Sequence, residues 1–147
     1  MNNISDEEVL GLISELTPKY MHDFLNRAWL EKDFDLDRAG MTLTGEINSS
    51  TTIVKTSQIN RQDSLWLMVQ GEVYDFLCTK SAIYKTERAE AGMSAKNIIS
   101  IVAAALAGKL HLALGVVIGI VTLAVIGVFK LTKNAWCKLQ TESRLSS

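Results

Sequence analysis

The sequence has little punctuation. Its 147 residues include one proline, Pro18, two cysteines, Cys78 and Cys137, and two histidines, His22 and His111. With so little proline, no low-complexity stretch and no internal repeat, an array of modules on flexible linkers is excluded. Neither cysteine stands in a CxxC or a Cys/His cluster. A zinc site and a disulfide framework are therefore not expected; both cysteines read as free thiols, in a reducing compartment.

Signatures of local chemistry are also missing. No GxSxG, HExxH, phosphate loop or glycine-rich dinucleotide motif occurs, and no catalytic residue, cofactor or metal is assigned. His22 and Asp23 are neighbours, but adjacent positions of a helix point in different directions. Asp33, Asp35 and Asp37 match the first half of a calcium loop. That loop then needs glycine and a bidentate glutamate, where this chain has Arg38 and Thr44, so a solvated acidic loop is the expectation. The start, MNNISDEEVL, has neither the basic residues nor the apolar core of a cleavable signal peptide.

The near-neutral net charge of −1 conceals an asymmetry. Residues 1 to 95 carry nine Lys and Arg against fifteen Asp and Glu, a balance of −6, and residues 96 to 147 carry six against one, a balance of +5. An acidic front half argues against nucleic acid as the partner, and a basic apolar rear half suits anionic lipid headgroups.

The dominant feature is the run Leu112 to Phe129, LALGVVIGIVTLAVIGVF, whose only polar side chain is Thr122. It meets the ~18-residue minimum for a membrane-spanning helix. Gly115 and Gly119 have the GxxxG spacing that lets two helices approach closely in lipid. In one continuous helix from Asn97 to Lys133, steps of about 100° bring Ala104, Gly108, His111, Gly115, Gly119 and Thr122 to one small, polar face. That face is the expected helix-packing or pore-facing surface of a homo-oligomer. Lys109, Lys130, Lys133, Trp136 and Lys138 are the expected membrane-interface anchors.

The front half divides into shorter elements. Ser5 and Glu8 form a capping box for a helix from about Asp6, with Ile4 and Val9 as a staple, and Pro18 ends that helix by Thr17. Met21, Phe24, Leu25, Ala28 and Trp29 mark a second amphipathic helix. Met41, Leu43 and Ile47 alternate with polar residues, and Thr52 to Ile59 is β-prone, which predicts a β-hairpin turning near Asn48 to Thr51. A long helix from Ser64 to about Glu90 is preferred over a third strand at 64–69.

The expected fold class is thus α+β, mainly helical. Residues 1–93 form a soluble partner- or signal-binding domain, 94–133 a hydrophobic transmembrane helix, and 134–147 a short basic tail. Topology poses a conflict. The basic tail should stay in the cytoplasm by the positive-inside rule, and so should a front domain without a signal peptide, yet one span cannot keep both there. A single pass with the front domain cytoplasmic is preferred. The other two solutions are a hairpin turning near Gly115 to Gly119, which puts Lys109 mid-arm, and a soluble form that buries the segment in an oligomer until triggered. The expected function is a non-enzymatic, membrane-acting effector, pore-forming or membrane-disrupting, controlled by its front domain through a protein or small-molecule trigger. The alternative is a membrane-tethered adaptor or scaffold that recruits a protein without permeabilising the bilayer.

Overall fold

The computed structural model describes residues 4–32, 34–46, 64–79 and 94–145. Seven α-helices occur among them: α1 (Asp6–Leu16), α2 (His22–Leu30), α3 (Leu36–Leu43), α4 (Leu65–Cys78), α5 (Ala95–Leu110), α6 (Leu114–Leu131) and α7 (Lys133–Leu145). A short 3-10 turn, Lys19–Met21, joins α1 to α2.

Most helices begin at a residue able to satisfy an orphan amide. Ser5 accepts from the Glu8 amide at 3.1 Å, Asp35 from Arg38 at 3.1 Å, Ser64 from Leu67 at 3.2 Å and Ser94 from Asn97 at 3.2 Å. Thr17, extended before Pro18, ends α1 as its sequence requires. Met21, Leu25, Ala28 and Trp29 of the second segment are all buried.

Helix α6 is the axis of the molecule. Its middle, Gly119 to Val128, is buried without interruption, and all six other helices pack against it. Helix α5 turns back along α6 through His111, which adopts the left-handed conformation (φ 55°, ψ 36°) and ends α5. Histidine is one of the few non-glycine residues that visit this region with any frequency. One hydrophobic core joins buried side chains from every helix, from Val9 in α1 to Trp136 in α7.

Three expectations are corrected. The α+β class fails because the described residues contain no strand. Met41 to Leu43, expected in a β-hairpin, lie in α3, where Leu36, Gly40 and Met41 form the buried face; Ile47 and the segments 48–51 and 52–59 lie outside the described residues. The helix from Ser64 ends at Cys78, its residues 64–69 being helical rather than strand, and 80–90 lie outside the described residues. The continuous helix from Asn97 to Lys133 is a pair of helices divided at His111, followed by a second break at Thr132 (φ 75°).

Helical geometry over 36–43 seats Gly40 against Trp66. A Cβ added to Gly40 would lie 2.2 Å from the ring of Trp66, which is fully buried. That ring is fixed by its Nε1–H, which donates to Asp37 at 3.0 Å; the same carboxylate accepts from Gln70 Nε2 at 2.8 Å. The Trp66 amide donates to Glu46 at 3.0 Å. Gly11 in α1 has open space instead. Gly40→Ala is therefore expected to destabilise by about 1–3 kcal/mol through overpacking, whereas Gly11→Ala stabilises by about 0.5–1 kcal/mol through helix propensity. Urea denaturation of both variants checks the opposite signs.

Candidate functional site

Helix α6 is long and apolar enough to cross a membrane, with a mean hydropathy of 2.5 over 18 residues, and 61% of it is buried inside the protein. A helix apolar on all sides suits either a membrane span or the core of a water-soluble protein. What distinguishes this one is how its neighbours hold it.

Glycines on α6 act as notches for the front helices. A Cβ at Gly115 would lie 3.6 Å from Pro18 Cγ, one at Gly119 2.0 Å from Met21 Sδ, and one at Gly127 2.5 Å from Leu36 Cδ1. Of the GxxxG pair, Gly119 is the close approach, and its neighbour is the turn between α1 and α2 of the same chain, whereas Gly115 is exposed and has room for a Cβ. Thr122 is also buried, its hydroxyl donating to the Ile118 carbonyl one turn back at 2.6 Å. Ala104 and Gly108 lie on the exposed side of α5, and His111 is exposed at the hairpin turn. The break at His111 therefore prevents the six expected face residues from forming one line.

The polar ties of the hairpin lie at its ends. Lys130 donates to the carbonyls of Trp29 and, at 3.0 Å, Glu31; its ammonium stands 5.2 Å from the Trp29 ring centre and 4.8 Å from that of Phe34. This is a cation held by carbonyl dipoles and ring faces together. At the other end Lys109 pairs with Glu72 at 3.1 Å, the lysine half exposed and the glutamate only 11% exposed. Trp136 is buried and meets Tyr74 edge to face, with ring centres 6.4 Å apart. Of the expected interface anchors, these three have partners within the chain, while Lys133 is half-buried and Lys138 exposed. Among the described residues, Lys130 makes the side-chain hydrogen bonds from α6 to its cover; the middle of α6 makes none to it.

The cysteines overturn the free-thiol expectation. Cys78, at the end of α4, is disulfide-bonded to Cys137 in α7, with Cα atoms 5.5 Å apart. Disulfides persist in oxidising compartments, which removes the ground for placing the front domain in a reducing one. The bond closes a loop that contains α5 and α6 entirely. A chain holding only two cysteines was the available signal, but nothing in their spacing reveals that the fold brings them together.

The other polar candidates have structural partners. His22 Nε2 lies 2.9 Å from the Thr17 carbonyl, Asp35 caps α3, and Asp37 accepts from Trp66 and Gln70. Among the described residues no group of three or more His, Cys, Asp or Glu is placed to hold a metal ion. An open cleft of about 790 Å³ lies between α2 and α3, lined by Phe24, Arg27, Leu30, Glu31, Asp35 and Arg38 among others. It presents both charges around an apolar floor. Comparison with protein families, curated proteins and solved structures finds no match to this chain.

The disulfide makes a direct prediction. With Cys78 and Cys137 separated by 59 positions, chain-entropy arguments give about 4 kcal/mol of stabilisation. Cys78→Ser is expected to lower the unfolding free energy by about 2–4 kcal/mol. In guanidinium titrations a dithiol reductant should shift the wild-type midpoint to that of the variant and leave the variant unmoved.

Proposed function

We propose that the chain is a membrane-acting effector in a closed, water-compatible state, in which α1 to α4 cover the apolar helix α6 until a partner or signal draws them aside. The observation that supports this reading most is the character of the cover. Over its whole middle α6 is held by apolar contact and glycine notches, with its polar ties confined to Lys130. Moving α6 from this seat into hydrocarbon breaks no hydrogen bond between its middle and the cover, and lipid tails are about as apolar as leucine. At 1.5 Å per residue an 18-residue helix spans about 27 Å, close to the hydrocarbon thickness of ~30 Å.

In this reading α5 and α6 enter as a hairpin with the His111 turn leading. Both flanks then remain on the face from which the chain approaches, as a closed loop between Cys78 and Cys137 demands. The Gly115 and Gly119 face, once clear of Pro18 and Met21, becomes available to a second copy, and clustered hairpins permeabilise the bilayer. The cleft between α2 and α3 offers the front domain a seat for the trigger. The second reading is an adaptor or scaffold that recruits a protein and keeps α6 as a permanent core helix rather than as a membrane tether, favoured by the 61% burial of α6.

Dye release from vesicles separates the two. The full chain is expected to release dye, and Leu36→Cys with Gly127→Cys, oxidised to tie α3 to α6, is expected to abolish release. A dithiol reductant should restore it, with reduced wild-type protein run in parallel to account for the native disulfide. Vesicles that stay intact under every treatment would leave the scaffold.

A further inference from the structure

At the hairpin turn the otherwise well-buried apolar surface breaks open. Leu112 is 40% exposed, Leu114 51% and Val116 38%, and all three lie within five residues of one another where α6 begins. The turn between α1 and α2 runs beside them, because Pro18 and Met21 lie against Gly115 and Gly119; it adds Tyr20, at 72% the most exposed of the large apolar side chains. Four apolar side chains thus share one end of the molecule; Leu114 and Val116 belong to the helix able to cross a membrane, and Leu112 lies in the turn before it.

Two lysines edge this end; of the exposed acids flanking the turn, Glu15 is paired with Lys96 and Asp23 lies in the first turn of α2. Lys19 is exposed beside Tyr20, and Lys109 lies two residues before the turn with half its side chain in solvent. Its partner Glu72 is nearly covered, and no acidic residue occurs in the sequence between Glu90 and Glu142. Exposed leucine and valine with a tyrosine, edged by lysines, match the two layers of a lipid surface. The aliphatic groups enter the acyl boundary, the tyrosine sits among the headgroups, and the lysines meet anionic phosphates.

From these observations we propose that this end, formed by Tyr20, Leu112, Leu114 and Val116 with Lys19 and Lys109, docks the closed protein on an anionic bilayer before α6 is uncovered. The proposal rests on the membrane-acting reading and adds to it the site of first contact and the class of lipid. Docking here places the His111 turn against the membrane, which is the orientation hairpin entry requires. It also leaves the cleft between α2 and α3 outside the proposed contact.

The test is co-sedimentation of the full-length, disulfide-bonded protein with vesicles of phosphatidylcholine alone or with about 30% phosphatidylglycerol. Wild-type protein is expected to partition at least tenfold more strongly onto the anionic vesicles, and Leu112→Glu with Leu114→Glu to lose about tenfold or more of that binding. Both positions are exposed, so thermal unfolding of the variant should match wild type. A second probe uses Leu114→Trp: the native tryptophans Trp29, Trp66 and Trp136 are all buried, so a blue shift of the added exposed emission on anionic vesicles reports docking at this end. Equal binding by the double glutamate variant, no anionic preference, or no blue shift overturns the proposal. So does a dimer in vesicle-free solution that the glutamates abolish, since a second copy would then be the occupant. Lipid-selective binding through this end without dye release under any treatment would uphold the docking site and sink the permeabilising reading.

Discussion

The constraint on which this structure depends is that α6 has no polar side. An amphipathic helix needs one apolar neighbour, but a helix apolar around its circumference must be enclosed, and here six helices share the task. Close enclosure needs room at the axis, which Gly119 supplies to Met21 and Gly127 to Leu36. Each surrounding helix then needs only a single apolar stripe: Val9 and Ile13 in α1, Leu25 and Trp29 in α2, Val69, Val73 and Phe76 in α4, Ile98, Val102 and Leu106 in α5.

The same enclosure alters the topological argument. A hairpin that turned between Gly115 and Gly119 would strand Lys109 within an arm. The observed turn at His111 puts Lys109 one residue beyond Leu110 from the loop, at the tip rather than in the middle. The disulfide adds a covalent limit, since Cys78 and Cys137 cannot end on opposite sides of a bilayer while it is intact. In the proposed hairpin entry, basic tail and front domain would then remain on one side of the bilayer.

Much of the local structure was legible in the sequence. Ser5 with Glu8, Pro18 after Thr17, and the spacing from Met21 to Trp29 each specified an element through short-range chemistry. The apolar run announced α6. What escaped was decided at longer range. Thr42 and Thr44 suggested alternation, but the fit of Gly40 beneath Trp66 and the bonds from Trp66 and Gln70 to Asp37 involve residues 26 to 33 positions away. The break at His111 occurs without proline or glycine at the turn, so a helical period that continues through it gave no warning. The face drawn from Ala104 through His111 to Thr122 depended on a continuous helix and went with it. Of the two GxxxG glycines, Gly119 is the one seated against a neighbour, Met21, and spacing carries no information about which surface fills such a notch.

The opening proposed above would be governed by the cover more than by α6. Protein core and acyl chains are similar solvents for an aliphatic helix, so its transfer contributes little net preference by itself. The difference lies in Met21, Leu36, Val73 and their neighbours, which lose their burial when α6 departs. At about 25 cal/mol per Å² of newly exposed apolar surface, leaving those faces in water would oppose opening strongly. A trigger must therefore supply differential affinity for the open form by giving them somewhere else to go. A protein surface does so by docking on the separated helices; a bilayer interface does so by accepting them lengthwise, apolar face down. In the proposed reading, specificity would then reside in the front helices and the means of acting on the membrane in α6.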